Sequence, residues 1–86
     1  MAFSFDIKKP DNLQEVLFFV SQDIKSGGGT LKGDVNSGEI SIKGVEGTYK
    51  VEDDLIKITI TKKPFIVSES YVRDEINKYF DKYTKK

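Results

Sequence analysis

Five segments of the chain alternate between apolar and polar residues, and two others repeat apolar residues at helical spacing. The strictest alternation is Ile56-Lys57-Ile58-Thr59-Ile60, which predicts a β-strand with one apolar face. The same pattern predicts strands over residues 3–8, 30–35, 39–43 and 49–51. Glycine, asparagine and aspartate between these segments predict turns at residues 36–38, 44–47 and 52–54.

Two amphipathic helices are predicted, one on each side of the four central strands. The first covers residues 12–25, with apolar residues at Leu13, Val16, Leu17, Val20 and Ile24. Asn12 and Glu15 have the spacing of a capping box, and Gly27–Gly29 is expected to end the helix. Ser68 is the predicted cap of the second helix, whose apolar face comprises Val72, Ile76, Tyr79, Phe80 and Tyr83.

This order of elements, β-α-β-β-β-β-α, predicts an α+β fold. The connections between the four central strands are short, which favours an antiparallel sheet. Because both helices have an apolar face, we expect a two-layer sandwich with both helices on one face of the sheet. The first strand is placed at an edge, where a parallel neighbour is also allowed. The other sheet face is expected to be wet or a polar contact surface, and to carry Lys32, Asp34, Ser41, Lys43, Lys50, Lys57, Thr59 and Thr61.

Length and charge limit the classes of protein to consider. The 86 residues are enough for a single domain, residues 1–86, and too few for a second core. Its 14 basic and 14 acidic residues cancel, which argues against the basic surface of a nucleic-acid-binding protein. The longest apolar run, Val16–Val20, is far below the ~20 residues of a transmembrane helix, and we expect no signal peptide. We therefore expect a cytoplasmic protein without a transmembrane segment.

The chain contains no histidine and no cysteine. The usual general base near neutral pH and the commonest zinc ligands are therefore missing. Gly27–Gly29 follows a helix instead of preceding one, unlike a phosphate-binding loop, and residues 52–54 lack the ligand spacing of a calcium loop. Ser68 and Ser70 lie near Lys62 and Lys63 in the sequence, but a Ser-Lys nucleophilic pair needs a buried lysine, and Ser68 is expected to cap a helix. We expect no enzyme activity, no catalytic or metal site and no cofactor.

Four aromatic residues are the candidate contacts for a partner or ligand: Phe18, Phe19, Phe65 and Tyr71. Phe65 belongs to an apolar connection, residues 63–67, that leads into the second helix. Val67 is expected to pack as a hydrophobic staple on Val72 or Tyr71. The alternative is a small lip that touches a partner or a membrane surface.

The leading hypothesis is a non-catalytic binding or structural module, because the chain has a well-patterned fold without catalytic motifs. Its partner is expected to be a second copy, as a homodimer, or another protein. The alternative is a carrier of an apolar small molecule held between helices and sheet, with the four aromatic residues at the mouth of the cavity. A chain of this length leaves little room for such a cavity beyond a filled core.

The central strands resemble a known family. Residues 38–42, 44–51 and 56–60 are similar to the small polyhydroxyalkanoate system or granule-associated proteins, and Pro64-Phe65 and the final helix also fit. The order of elements matches over residues 3–83. The resemblance implies the same fold and contact with a granule surface, and it supplies no catalytic residues. This chain lacks the histidine-containing start of the bacterial members, and its first helix is less charged.

Overall fold

A computed structural model describes residues 2–84 and confirms the predicted order of elements. The elements are β1 (Phe3–Lys8), α1 (Leu13–Ser26), β2 (Thr30–Gly33), β3 (Ser37–Ile42), β4 (Val45–Glu52), β5 (Leu55–Lys62) and α2 (Glu69–Tyr83). Between residues 2 and 84, neither helix has the length and apolar character needed to cross a bilayer.

The five strands form one antiparallel sheet in the order β1-β5-β4-β3-β2. β1 lies at an edge, as predicted, and it pairs antiparallel with β5, so the parallel neighbour that the sequence also allows is not adopted. In this register Phe5 lies opposite Ile58, and Ile58 lies opposite Tyr49. Side chains directly opposite each other share a face, so the apolar rows of three strands merge into one surface.

Both helices pack on this apolar surface, which confirms the predicted α+β sandwich with two helices on one face. The core comprises Leu13, Val16, Leu17, Val20, Ile24, Ile40, Ile42, Val45, Tyr49, Ile56, Ile58, Ile60, Val72, Ile76 and Phe80. Burying apolar side chains stabilises a fold by about 25 cal/mol per Å² removed from water. The isoleucines of β5 are fully buried, so this strand is the centre of the core.

The turn predicted at residues 36–38 is wrong in its position. Ser37 and Gly38 belong to β3, and the chain reverses over residues 34–36. Gly38 lies under the ring of Tyr49, where a Cβ atom would collide with the ring. The Tyr49 hydroxyl donates to the backbone oxygen of Asp34 at 2.7 Å. This glycine therefore makes room for an aromatic ring and does not form the turn.

Two residues predicted on the polar sheet face lie in turns. The Asp34 carboxylate accepts hydrogen bonds from the backbone nitrogens of Asn36 and Ser37, at 2.8 and 3.1 Å, and these bonds lower its pKa. Lys43 and Gly44 both have positive φ, 51° and 82°, which is typical of a two-residue type I′ hairpin turn. The alternation of side chains between the two sheet faces holds only within a strand. It therefore does not predict the direction of a side chain in a turn.

The helix ends agree with the predictions in part. Gly27 donates to the backbone oxygens of Asp23 and Ile24 and ends α1, as expected. The prediction that Asn12 caps α1 through a capping box is wrong. The Asn12 backbone lies at φ −99° and ψ 44°, and its side chain makes no capping hydrogen bond. Its Nδ2 instead donates to the Glu15 Oε1 and to the backbone oxygen of Tyr83, at 3.1 and 3.0 Å.

Candidate functional site

The four candidate aromatic residues lie at two separate places. Phe65 and Tyr71 lie at the N-terminal end of α2. Phe19 stacks on Tyr83, at the C-terminal end of α2, with ring centroids 5.1 Å apart, and Phe18 contacts Phe19 edge-on. Tyr71 and Tyr83 are separated by about 18 Å along the helix, at 1.5 Å per residue. The structure therefore does not bring the four residues to the mouth of one cavity.

Phe65 and Ile66 form the most exposed apolar feature among the described residues, and we call this pair the tip. Their exposed fractions are 98% and 91%. They occupy the turn that joins β5 to α2, which the Val67 nitrogen closes by donating to the Pro64 oxygen at 3.1 Å. Large apolar side chains at such positions lose no water in this structure, so the folded chain gains nothing from them.

Three further interactions hold the tip in place. The Lys63 ammonium donates to the backbone oxygen of Val67 at 2.6 Å. Ser68 caps α2 as predicted, because its Oγ accepts from the Tyr71 nitrogen at 3.1 Å. Pro64 lies against Gly44, where a Cβ atom would come within 3.1 Å of the proline ring. These contacts present the tip on a defined turn.

An apolar depression of about 220 Å³, the α2 groove, lies between α2 and the β3–β4 turn. It is lined by Ile42, Lys43, Val45, Val67, Tyr71, Val72, Glu75, Ile76 and Tyr79. Val67 and Val72 line it together, and Val67 packs against the core, as the staple prediction requires. The staple thus accounts for Val67 and leaves the preceding two residues, the tip, uncovered.

Phe18 lies in a different depression, the α1 groove, between α1 and the connection from β2 to β3. Its volume is about 420 Å³, and its apolar lining includes Leu17, Leu31 and Val35. Phe18 and Val35 are 59% and 40% exposed. The α1 groove and the α2 groove share no lining residue, so they are separate surfaces.

The C-terminal end of α2 is closed by polar contacts to α1. The Tyr83 hydroxyl donates to the Asp23 carboxylate at 2.6 Å, and the Lys82 ammonium lies 3.3 Å from the same oxygen. The bond from Tyr83, with help from Lys82, lowers the pKa of Asp23. The same bond raises the pKa of the Tyr83 hydroxyl, because it stabilises the protonated phenol beside a carboxylate.

The open face of the sheet carries a mixture of charges and hydroxyls. Glu52 lies 3.3 Å from both Lys50 and Lys57, and these two ammonium groups lower the pKa of its carboxyl. The Ser4 and Thr59 hydroxyls are 3.2 Å apart. Exposed ion pairs of this kind contribute little to stability, ~0–1 kcal/mol. This face is polar, as predicted, and Lys50, Glu52 and Lys57 form ion pairs within the chain.

The tip is apolar, and apolar side chains line much of both grooves. Within residues 2–84 Tyr49 is the only buried residue whose side chain carries a polar group, and no cluster of three or more acidic residues could hold a metal ion. Ser68 is engaged as a helix cap, and Lys63 is engaged with a backbone oxygen. Burial of the Tyr49 hydroxyl, with Asp34 nearby, raises its pKa to about 12, so it stays protonated at neutral pH.

Sequence reasoning misses two members of the candidate site. Ile66 belongs to the predicted lip but not to the predicted contacts, although two apolar residues directly after Pro64 indicate an apolar turn. Lys43 lies at the rim of the α2 groove instead of on the open face. The signal for it is the Lys43-Gly44 dipeptide between two apolar residues, which favours a tight hairpin turn.

Comparisons of the chain with protein-family models, curated proteins and solved structures found no match. The resemblance to the polyhydroxyalkanoate system family, and the granule contact that it implies, therefore stay predictions.

Proposed function

We propose that this protein is a non-catalytic binding module that recognises another protein through the tip and the α2 groove. The observation that carries the proposal is the exposure of Phe65 and Ile66, 98% and 91%, on a turn held by hydrogen bonds. Exposed apolar patches rimmed by polar residues are typical of interaction sites.

The shape of this surface favours a protein over a small molecule. The tip is convex and the neighbouring groove is concave, so a ligand confined to the groove would leave the tip in water. The groove volume of about 220 Å³ is also below the ~300–1,000 Å³ of sites for drug-sized ligands. A protein interface of ordinary size covers ~800 Å² per partner, enough to include both features.

The lining of the α2 groove defines the chemistry of the partner. Its floor is aliphatic, from Val45, Val72 and Ile76, and Lys43 and Glu75 add one charge of each sign. This arrangement suits one aliphatic or aromatic anchor side chain on a partner segment. Such buried anchors, surrounded by polar rims, supply most of the binding energy in protein interfaces.

A photocrosslinking experiment tests this proposal. Phe65 is replaced by p-benzoylphenylalanine in the source cells, and the matched control carries the same group at Phe18 on α1. Irradiation is expected to give a discrete adduct from position 65 that the control lacks. An adduct with the mass of two copies would instead show self-association at this surface, and no adduct at position 65 would overturn the proposal.

The crosslinked protein must then bind as a purified component. Calorimetry is expected to show that the double change Phe65→Ser and Ile66→Ser raises the dissociation constant by at least about tenfold, as loss of an anchor does. Phe18→Ser, also an exposed phenylalanine, is the control and should leave affinity unchanged. Equal affinity of the double variant and the unchanged chain would contradict the proposal.

The α1 groove favours a second candidate function, the carrier of an apolar small molecule. Its volume of about 420 Å³ falls within the range of small-molecule sites, and Phe18, Leu31 and Val35 line it. Native mass spectrometry of gently purified protein would test this, with added mass expected for a carrier. Val35→Asp should remove that mass, while Phe65→Ser should retain it. The cytoplasmic location stays a prediction that cell fractionation would test.

A further inference from the structure

We propose that β1 is a dimerisation edge, which pairs antiparallel with β1 of a second copy to form one ten-stranded sheet. This surface is separate from the tip and the α2 groove, and the inference does not depend on the proposed function. It rests on the backbone groups that β1 leaves unpaired, on its partly covered apolar row and on the pairing register that the sequence permits.

The outward-facing backbone groups of β1 follow from one hydrogen bond. The Lys9 nitrogen donates to the Asp54 oxygen, at 2.7 Å, just beyond the last paired residues, Lys8 and Leu55. In an antiparallel ladder, hydrogen-bonded pairs alternate with non-hydrogen-bonded pairs. The odd-numbered residues of β1 therefore bond to β5, and the N–H and C=O groups of Ser4, Asp6 and Lys8 point away from the sheet.

The inner face of β1 is an incomplete part of the core. Phe3, Phe5 and Ile7 pack against the core but remain partly exposed, whereas the opposing isoleucines of β5 are fully buried. Phe3 and Phe5 stack with centroids 6.1 Å apart. Within residues 2–84 no strand lies beyond β1, so this apolar row ends at the edge of the sheet. A second β1 would extend the row and cover it.

The opposite edge of the sheet is formed by a shorter strand. β2 has four residues and ends at Gly33. A short edge strand discourages pairing between sheets. Each edge strand includes one lysine and is contacted by a helix, so these two features do not distinguish the edges. β1 has six residues with no proline, glycine or bulge between Phe3 and Lys8. The two edges therefore differ in their capacity to pair.

Charge and apolar matching select one register. Two-fold pairing joins even-numbered residues to even-numbered residues, because these carry the free backbone groups. A register centred on Asp6 would place two aspartates opposite each other, which is unfavourable. A register centred on Ile7 would pair Asp6 with Lys8 but would place Phe5 opposite Lys9.

The register centred on Phe5 gives favourable partners to residues 3–7 of both copies. It sets Phe5 against Phe5 of the second copy, Phe3 against Ile7, and Ser4 against Asp6, so hydroxyl and carboxylate lie side by side. All three apolar side chains then meet apolar partners, and burying them stabilises more than the exposed ion pair of the Ile7-centred register. The Asp6 carboxylate keeps Lys57 opposite it within its own chain.

Sedimentation velocity of the full chain over a range of concentrations tests the dimer. The chain is expected to sediment with twice its mass of 9.7 kDa. Asp6→Pro removes an outward-facing N–H, which proline tolerates at an edge, and leaves the bonds to β5 intact. It should raise the dimer dissociation constant by about one to two orders of magnitude, since both copies lose a hydrogen bond. Asp6→Ala, which keeps the N–H, should still dimerise.

Folding controls and a cysteine scan complete the test. Circular dichroism should show the same secondary structure for Asp6→Pro and the unchanged chain, and the Phe65→Ser, Ile66→Ser double variant should remain dimeric. Because the chain has no cysteine, single variants report the register directly. Phe5→Cys should form a disulfide-linked dimer on oxidation, whereas Asp6→Cys and Ile7→Cys should not. A monomeric chain, or linkage at Asp6 or Ile7 in place of Phe5, would overturn the proposal.

Discussion

The two ends of α2 contrast in how they treat large apolar and aromatic side chains. At the C-terminal end, Tyr83 stacks on Phe19 and its hydroxyl donates to Asp23 at 2.6 Å. At the N-terminal end, Tyr71 is 58% exposed and the neighbouring tip is almost entirely in water. One end of the helix is closed by α1, and the other is open.

The open end is also held by hydrogen bonds. Lys63 and Ser68 each make one such bond, at 2.6 and 3.1 Å, and the turn itself is closed by Val67. Both ends are thus hydrogen-bonded, and they differ most clearly in how far their apolar side chains are covered. A turn that is already held by hydrogen bonds loses less conformational entropy on binding, which supports the recognition that we propose there.

The largest expected effect is the difference in stability between a change in the core and a change in the tip. Phe80 lies on the same helix and is 1% exposed. Phe80→Ala should lower the unfolding free energy of the chain by about 3–5 kcal/mol, because a cavity replaces the ring. Phe65→Ala should change it by less than about 0.5 kcal/mol. Urea denaturation measures both, and a large loss for Phe65→Ala would mean that the tip stabilises the fold.

Removing the helix cap at the open end should have an intermediate effect on stability. Ser68→Ala removes the bond to the Tyr71 nitrogen and should lower the unfolding free energy by about 1 kcal/mol, the usual loss for a helix cap. Ser70→Ala, on the first turn of the same helix, is the matched control and should change it little. An unchanged unfolding free energy for Ser68→Ala would show that the cap does not stabilise the open end.

A smaller effect is expected at the closed end. Tyr83→Phe keeps the stacking on Phe19 and removes the hydrogen bond to Asp23, so the thermal midpoint should fall. Tyr71→Phe deletes the same hydroxyl at the open end and should leave the midpoint unchanged. Equal midpoints for the two variants would contradict the assignment of one end as closed.

The smallest effect is a pH dependence at the closed end. The bond from Tyr83 and the nearby Lys82 hold the folded pKa of Asp23 below its usual 3.8, so the folded chain binds this proton less readily than the unfolded chain. The contribution of Asp23 to stability is present above pH 3.8 and is lost as the pH falls through the folded pKa. The difference in thermal midpoint between the chain and Asp23→Asn should therefore shrink below about pH 4.

Asp74→Asn provides the control for this titration. Asp74 lies on the same helix, and its carboxylate is 3.6 Å from the neighbouring Arg73. Because this ion pair is exposed and contributes little to stability, Asp74→Asn should have nearly the same thermal midpoint as the unchanged chain in each buffer. An Asp23→Asn difference that stays constant down to the lowest pH would show that the carboxylate charge at the closed end is not used for stability.

Local sequence patterns determined most of the fold. Alternation along β5 and the helical spacing from Leu13 to Ile24 predicted elements that the structure confirms, and Ser68 caps α2 as expected. These signals depend on residues a few positions apart, where the chain geometry itself sets which side chains share a face. The order of elements and their short connections then limited the topology to a two-layer sandwich.

Only the tertiary structure decided what each exposed or polar residue does. Gly38 leaves room for the Tyr49 ring on the neighbouring strand. The Asn12 side chain donates to the backbone oxygen of Tyr83, 71 residues away in the sequence. Phe19 stacks on Tyr83 and is 40% exposed, whereas Phe65 is 98% exposed. By sequence alone these two phenylalanines were equal candidates, because burial depends on which elements meet in space and periodicity reports only the face on which a side chain lies.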